Sequence, residues 1–331
     1  MRELALLIAV IAAAIGFGFV NGLNDAANSV AASIGSRSLS PRSAIILAGF
    51  FTLAGSATGL EVARTIGQRI LVPEAITYFT LFAALAAVIV WVSIATRWGL
   101  PVSSTHSLLA GLAGAGMAAA GSEAVRWGGM QRPLLSVAVA PALGFMGGFV
   151  VTVVLLWLCR QRAPSKVRVV FSRLQWLTTA FLSYSLGKNN GQMPIAIITM
   201  ALVSYTRQVD MWDSIPWWII SVSSLAISSG VAIGGWRVIR TMGFRITALQ
   251  PIHGFAADFS AAAVIEGASR LGIPVSTTHC ATAAVIGIGA TRRLSAVRWG
   301  VTRNIVLSWI LTFPICGAIG WVIASFLKIA F

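Results

Sequence analysis

Charged side chains are scarce in this 331-residue sequence. Only 10% of the residues are charged, whereas 57% are hydrophobic and the mean hydropathy is +0.85. A soluble domain carries about 25% charge, so this chain has too few charges to cover its surface in water. The composition excludes a cytosolic enzyme, a secreted domain and a disordered chain, and it predicts an integral membrane protein with several spans.

Acidic residues, histidines and cysteines are also few. Nine acidic residues against 24 lysines and arginines give a net charge of +15. The arginines lie between apolar stretches rather than in a stripe interleaved with aromatic residues, so no nucleic-acid partner is expected. Three histidines are too few for a haem or a multi-metal redox chain, and the three cysteines lack metal-ligand spacing. No resident cofactor is expected.

Ten apolar stretches predict about ten crossings by helices, and hence an all-α polytopic fold. A span needs about 20 residues. The stretches are 4–35, 43–59, 76–96, 99–119, 133–158, 174–204, 215–234, 251–270, 272–291 and 304–327. The first and sixth are long and contain Asn- and Gly-rich patches, which predict broken helices. The fourth and ninth begin with Gly-x-Pro and a Ser/Thr run, which also indicates an interrupted helix.

Loop charges predict the orientation. Segments 159–173, 236–245 and 292–303 are basic and contain no acid, which favours the cytoplasmic side, while 60–75 and 205–214 mix both signs and are assigned to the outside. With ten crossings, both termini also lie outside. The N-terminal stretch lacks the positive region of a signal peptide and is interpreted as a retained span. The sequence therefore predicts a multi-pass protein of the cytoplasmic membrane.

Three short motifs occur twice, in the same order. The first set is Gly22-Leu-Asn-Asp25, Thr65-Ile-Gly-Gln-Arg-Ile70 and Gly99-Leu-Pro-Val-Ser-Ser-Thr-His106. The second set is Gly187-Lys-Asn-Asn190, Thr241-Met-Gly-Phe-Arg-Ile246 and Gly272-Ile-Pro-Val-Ser-Thr-Thr-His279. The chain thus divides into a first repeat at 1–158, a basic cytoplasmic linker at 159–173 and a second repeat at 174–331. Five spans in each half make the second repeat inverted, an arrangement typical of secondary transporters.

The duplicated Gly-x-Pro-Val-Ser motif predicts an anion site. Proline suits a first helical turn and Ser/Thr cap a helix start, so each copy marks a half-helix with free N–H groups. Two copies that face each other would surround one small oxyanion with hydroxyls. These hydroxyls belong to Ser103, Ser104, Thr105, Ser276, Thr277 and Thr278. The alternative is that they bond only the helix backbone.

Asn24, Asp25 and Asn28 supply oxygen ligands within the first apolar stretch. An ionised aspartate in a membrane costs about 2.5–3.5 kcal/mol on insertion scales. A cation would offset that cost and the charge of a bound anion, so these residues are predicted to coordinate Na⁺ or carry a proton. The alternative is a structural pair between Asp25 and an arginine such as Arg37.

His106 and His279 close the two hairpin motifs. A pairing of Ser103 as nucleophile with His106 as base is conceivable, but no acid partner is apparent in the sequence. The duplication favours symmetry over chemistry, so the histidines are interpreted as structural and bonded to the backbone.

At these residues the chain resembles the inorganic phosphate transporter (PiT) family. The matching segments are Gly22-Leu-Asn-Asp-Ala-Ala-Asn-Ser29, both hairpin motifs, 234–243, 253–261 and 297–306. The resemblance covers nearly the whole chain. It implies symport of phosphate with Na⁺ or H⁺, and in some bacterial members transport of neutral metal–phosphate. It also implies that the protein is able to form dimers, since family members are often dimeric. It assigns the ion site to Asn24, Asp25 and Asn28 and the phosphate site to the Ser/Thr runs.

The second signature departs from the family pattern. It reads Gly187-Lys-Asn-Asn-Gly-Gln-Met-Pro, so Asn190 replaces an acid and Met193 stands where lysine is common. Lys188 adds a cation two residues before Asn190 and is a candidate anion partner. With this change, Asn189, Asn190 and Gln192 are counted with the substrate site.

The sequence therefore predicts a transporter that imports inorganic phosphate by symport with Na⁺ or H⁺, in contact with lipid and able to form a homodimer. It is not expected to be an enzyme. The alternatives are a permease for sulfate or another oxyanion on the same scaffold, a passive anion channel, and a membrane-embedded hydrolase.

Overall fold

The protein is all-helical. The computed structural model describes residues 1–330, and within them the only β feature is an isolated bridge between Leu71 and Val125. The helices are α1 (Arg2–Gly35), α2 (Pro41–Ser56), α3 (Glu61–Arg69), α4 (Tyr78–Trp98), α5 (Ser104–Ala120), α6 (Trp127–Cys159), α7 (Pro164–Asn190), α8 (Gln192–Thr206), α9 (Trp217–Ile233), α10 (Trp236–Arg240) with a π-helix (Thr241–Arg245), α11 (Pro251–Arg270), α12 (Thr277–Arg292) and α13 (Trp299–Ala330). Phe331, the last residue of the predicted second repeat, lies outside the described residues.

Four helices, α1, α4, α6 and α13, are long and apolar enough to cross a membrane. Two bent pairs raise the number to six: α2 meets α3 at 62°, and α9 meets the α10 segment at 57°. By length and hydropathy alone, residues 1–330 thus support four to six crossings, fewer than the predicted ten. One reason is that α5, α8 and α12 have 17, 15 and 16 residues, less than the length of about 20 that a simple span needs.

The break predicted in the first apolar stretch is wrong. Helix α1 runs without interruption through Asn24, Asp25 and Asn28. The stretch contains no proline, and its polar side chains bond to neighbouring helices, so the backbone keeps its own hydrogen bonds. The sixth stretch is interrupted as predicted, because α7 ends at Asn190 and Pro194 has no N–H to donate to that residue's carbonyl.

The predicted interruptions before the two hairpin helices are present. Helix α4 ends at Trp98 and is capped by Gly99, and α11 is followed by Gly272; both glycines adopt positive φ angles, 74° and 66°. A short non-helical loop follows each glycine before α5 or α12 begins. We call 99–103 and 272–276 the first and second hairpin loops.

The two halves of the chain interlock. Helix α1 packs on α9 while α7 packs on α2, and α5 packs on α13 while α12 packs on α6. Each of these pairs joins one helix from the first half to one from the second. The buried apolar side chains form two clusters, one around α4 and α5 and the other around α11 and α12. Neither half therefore completes its core alone.

Glycines allow two of these crossings to be close. A Cβ at Gly22 would lie 2.0 Å from the carbonyl oxygen of Ile227, and one at Gly55 would lie 2.0 Å from that of Tyr184. The first contact joins α1 to α9 and the second joins α2 to α7. Small residues permit such backbone approach between membrane helices.

We expect Gly55→Ala to destabilise the fold, because the new methyl group meets backbone that cannot rotate away. Overpacking of this kind costs about 1–3 kcal/mol. The melting temperature and the monodisperse fraction in detergent measure the effect. Gly267→Ala is the matched control, since a Cβ there meets nothing within 4 Å. Equal stability of the two variants would contradict the close crossing.

Candidate functional site

The two hairpin helices begin with a serine cap. The Oγ of Ser103 accepts a hydrogen bond from the backbone N–H of His106, and the Oγ of Ser276 accepts one from that of His279, both at 3.1 Å. All four residues are buried. The predicted helix starts are therefore present, with the N–H groups of their first two residues left without an intrahelical partner.

Each helix start is also bonded to the opposite hairpin loop. Thr105 Oγ1 donates to the carbonyl oxygen of Val275 at 3.0 Å, and Thr278 Oγ1 donates to that of Val102 at 3.1 Å. The contacts are reciprocal and bring the two Ser/Thr runs together in the interior. The two valine carbonyls were not among the predicted site residues, although the equal spacing of the two motifs places them at equivalent positions.

Asp25 lies beside the start of α12. One carboxylate oxygen accepts from Asn28 Nδ2 at 2.8 Å, and the other accepts from Asn190 Nδ2. Both amides also donate to the hydroxyls of α12, Asn28 to Thr278 and Asn190 to Thr277, each at 2.8 Å. We call Asp25, Asn28, Asn190, Thr277 and Thr278 the central cluster. It joins the candidate cation residues to the candidate anion residues.

The carboxylate of Asp25 is the one acidic group in the central cluster. Within residues 1–330, Asp25 pairs with no arginine, so the alternative of a structural Asp25–Arg37 pair is wrong. Within the described residues, no three His, Cys, Asp or Glu side chains lie close enough together to hold a metal ion. A cation here would therefore be held by one carboxylate together with amide and hydroxyl oxygens, the ligand types of hard cations.

Several buried polar atoms at the site have no hydrogen-bond partner within the described residues. They are Asn24 Oδ1, Asn28 Oδ1 and Ser104 Oγ. A buried polar group without a partner requires an explanation, and an ion is one. The amide oxygens are acceptors suited to a cation, whereas the serine hydroxyl can donate to an anion.

Three predicted residues lie next to the central cluster but bond elsewhere. Asn24 Nδ2 donates to Thr96 Oγ1 on α4 at 3.0 Å. Asn189 Nδ2 donates to Ser269 Oγ at 2.9 Å, and Gln192 Oε1 accepts from the N–H of residue 63 at 2.9 Å. The helical repeat explains this divergence, since adjacent residues on a helix point about 100° apart.

The histidines do not bond the backbone through their rings, contrary to the prediction. Their centroids lie 4.7 Å apart in an edge-to-face contact, and His279 stacks on Trp309 while His106 stacks on Phe313. The ring nitrogens have no hydrogen-bond partner among the described residues. Ser103 Oγ is bonded to the main-chain N–H of His106 and not to its ring, so a serine–histidine nucleophile pair is not formed.

Lys188 is not free to pair with an anion. Its Nζ lies 2.7 Å from Glu266 Oε1, and the two side chains are 12% and 9% exposed. Arg270 approaches the same oxygen at 2.8 Å from a largely exposed position. The expectation that Lys188 serves the anion site is therefore corrected, because its ammonium group is paired with Glu266 instead.

The family model described as "Phosphate transporter family" matches residues 21–320. The chain belongs to the phosphate transporter family. This family consists of transporters, so the expectation that the chain is not an enzyme is confirmed. The resemblance read from the motifs is confirmed as well.

Relatives of full length support the assignment. A "Probable low-affinity inorganic phosphate transporter" of Rhizobium meliloti (strain 1021) is 39% identical and covers 93% of this chain and 92% of its own length. A protein of the same name from Bacillus subtilis (strain 168) is 34% identical over 99% of both chains. A solved structure, "The sodium-dependent phosphate transporter", superposes with a TM-score of 0.91 at 29% identity, over 99% of this chain and 100% of the other.

Asn190→Asp should make the stability of this phosphate transporter family member depend on Na⁺ or acid. Two carboxyl groups in contact cannot both ionise without a counter-charge. We expect a lower melting temperature in Na⁺-free buffer at neutral pH and a recovery with Na⁺ or with acidification. Asn189→Asp is the control, because Asn189 bonds to Ser269 rather than to Asp25. Identical Na⁺ and pH responses of the two variants would contradict the contact.

Proposed function

We propose that the protein imports inorganic phosphate across the cytoplasmic membrane by symport with a cation. The observation that carries the proposal is the direct linkage of Asp25 to the α12 helix start through Asn28 and Asn190. The family and the full-length relatives support phosphate as the substrate.

Electrostatics supply the coupling. A phosphate bound at the hairpin helix starts would lie near the Asp25 carboxylate in a buried site, where like charges repel more strongly than in water. A cation bound at Asp25 removes this repulsion, and a bound phosphate in turn favours the cation. Each ligand thereby raises the affinity for the other, as linkage requires.

Sodium is the cation that the side chains favour. The amide oxygens of Asn28, which is bonded to Asp25, and of Asn24, on the adjacent helix face, are unpartnered acceptors. We propose the Asn28 oxygen as the ligand that joins the carboxylate. A proton would need only the carboxylate and would leave these acceptors unused. The name of the superposed structure, a sodium-dependent phosphate transporter, supports this choice.

The proposed substrate ligands lie in the two Ser/Thr runs. Ser104 Oγ and the free N–H groups at the starts of α5 and α12 are donors, which an oxyanion requires. We include Ser103, Ser276 and Thr277 with Ser104 as donors to the phosphate. Thr105 and Thr278 already donate their hydroxyl hydrogens to the opposite hairpin loops, so they position the two helix starts. Asn190 holds the α7–α8 break against Thr277, and Asn189 and Gln192 bond to the elements around that break.

We further propose that the chain forms two inverted repeats, 1–158 and 174–331, joined by the linker 159–173, with about ten crossings. The exchange of helices between the halves and the reciprocal threonine bonds support this architecture. In this arrangement the short helices α5 and α12 start within the membrane, and the exposed apolar side chains of α6 and α13 contact lipid.

The test is uptake of radiolabelled phosphate into proteoliposomes under imposed Na⁺ or H⁺ gradients, with sulfate and arsenate as competitors. We expect accumulation that requires the Na⁺ gradient and is inhibited by arsenate more than by sulfate. Stronger inhibition by sulfate would favour a sulfate permease, and uptake independent of every cation gradient would favour a channel.

Asp25→Asn should abolish Na⁺-driven accumulation while the protein remains folded. The amide keeps the size of the side chain but removes the charge that attracts the cation. Accumulation and the melting temperature are measured together, and Asp213→Asn, in the connection between α8 and α9, is the control. Full accumulation by Asp25→Asn at every external Na⁺ concentration and pH would show that the carboxylate is structural.

Ser104→Ala and Thr277→Ala should each weaken phosphate binding by about 1–3 kcal/mol, the range for a lost hydrogen bond to a charged group. Equilibrium binding of labelled phosphate to purified protein measures the loss. Ser223→Ala is a matched control, because its hydroxyl is also buried without a partner but lies on α9. Wild-type affinity in both site variants would exclude these hydroxyls as ligands.

A further inference from the structure

One repeated motif has no role in the central cluster. Thr65-Ile-Gly-Gln-Arg-Ile70 in the first half matches Thr241-Met-Gly-Phe-Arg-Ile246 in the second. Both copies lie at the bent ends of helix pairs, in α3 and in the π-helix after α10. The first copy is α-helical and the second is π-helical, but in both the threonine hydroxyl donates to the carbonyl four residues earlier at 3.1 Å.

The first copy lines a pocket of about 450 Å³ that we call the α3 pocket. Its wall contains three exposed arginines, Arg69 from α3 and Arg126 and Arg132 from the start of α6, and it ends on Gly272 and Pro274 of the second hairpin loop. The loop is seated on α3 itself, since a Cβ at Gly272 would lie 3.2 Å from the carbonyl oxygen of residue 61.

The second copy lines an equivalent pocket of about 490 Å³, the α10 pocket. Four exposed arginines, Arg97, Arg237, Arg240 and Arg245, surround Gly99 of the first hairpin loop. Here the loop is seated on α10, since a Cβ at Gly99 would lie 3.1 Å from the Arg237 carbonyl oxygen. Both pockets have the size of small-molecule sites, about 300–1,000 Å³.

The positive charge in these pockets is not neutralised by the protein. No acidic residue lines either pocket. Among residues 1–330, none of these arginines forms an ion pair with a carboxylate. Glu61, which starts α3, directs its Oε2 to the N–H of Leu60 at 3.0 Å.

The two pockets lie at opposite ends of α4. The α10 pocket includes the last residues of that helix, Arg97 and Trp98. At the other end, the backbone N–H of Arg126, which lines the α3 pocket, donates to the Ile70 carbonyl. Ile70 belongs to the segment that leads into α4 at Tyr78. A helix of 21 residues spans about 31 Å, close to the thickness of a bilayer core. Basic residues are enriched on the cytoplasmic side of membrane proteins, which accounts for an arginine-rich pocket at one end of α4. The arginine-rich pocket at the other end needs a different explanation.

Each pocket is adjacent to one side of the central cluster. Pro274 lines the α3 pocket, and Thr277 follows it after three residues, a reach of at most about 11 Å. Gly99 lines the α10 pocket, and the same loop carries the Val102 carbonyl that accepts from Thr278. An anion in either pocket would thus lie beside one hairpin loop.

We propose that the two arginine pockets bind phosphate, one at each end of the transport path, and concentrate it beside the central cluster. The proposal rests on the proposed function and extends it to peripheral sites. The chemistry recognised is a phosphate oxyanion, which Arg guanidinium groups bind well. A lipid headgroup shares this chemistry, and exposed Trp98 and Trp127 near the pockets suit the membrane interface.

The experiment compares two double variants, Arg69→Gln/Arg132→Gln and Arg240→Gln/Arg245→Gln. Initial rates of phosphate transport are measured against phosphate concentration in right-side-out and in inverted vesicles. We expect each variant to raise KM by roughly tenfold, the low end of the increase in association rate that a charged cleft provides. The increase should occur only for transport that starts on the side of the membrane where the mutated pocket lies. The rate at saturating phosphate should stay unchanged. Added choline chloride should raise the wild-type KM and reduce the difference, because salt screens exposed charges.

Two controls separate this effect from a general loss of charge. Arg64→Gln removes an arginine of α3 whose guanidinium donates to the carbonyls of Trp212 and Asp213, outside the pocket. Arg303→Gln removes an exposed arginine of α13. If both double variants have the same KM as these controls, the pocket proposal is overturned but the proposed phosphate transport is not. Absence of phosphate transport by the wild type would instead refute the proposed function.

Lipid composition distinguishes the two sources of phosphate. The same rates are measured in vesicles of neutral phosphatidylcholine and in vesicles that also contain phosphatidylglycerol. A rise in KM already present in neutral vesicles supports capture of free phosphate. If KM differs from that of the controls only in vesicles with the anionic lipid, the pockets bind lipid headgroups, and the proposal that they capture free phosphate is overturned.

Discussion

The buried carboxylate of Asp25 is the constraint on which the arrangement of the centre depends. An ionised group at this depth is costly unless it is hydrogen-bonded and compensated. Two amides, one from α1 and one from the end of α7, supply the hydrogen bonds. Because the same amides bond the hydroxyls of α12, the carboxylate fixes the position of a helix start. The residues proposed to bind the cation and those proposed to bind the anion are thereby joined in one cluster.

The centre belongs to both halves of the chain at once. Asp25 and Asn28 come from the first half, whereas Asn190, Thr277 and Thr278 come from the second. The reciprocal bonds from Thr105 and Thr278 to the opposite loops make each hairpin part of the other's support. A relative movement of the two halves would have to break these bonds, which is what alternating access in the proposed transporter requires.

The symmetry is incomplete where charge is concerned. Asn190 occupies the position equivalent to Asp25, and the Lys188–Glu266 pair has Leu23 and Ser93 at the matching positions of the first half. A second carboxylate at Asn190 would face Asp25 directly and repel it. The amide replaces that repulsion by a hydrogen bond, so the departure from the family signature has a structural consequence at the centre of the molecule.

The sequence predicted the membrane class, the helical fold and the family correctly, because composition and recurring motifs do not depend on which distant residues come into contact. It also located both hairpin helix starts, since Gly, Pro and Ser act within a few residues. The packing of distant helices was needed to show that α1 is unbroken, that Lys188 is paired with Glu266, and that the histidine rings stack on aromatic side chains. These outcomes depend on partners up to 250 residues away along the chain. No local pattern specifies which distant side chain will satisfy a buried polar group.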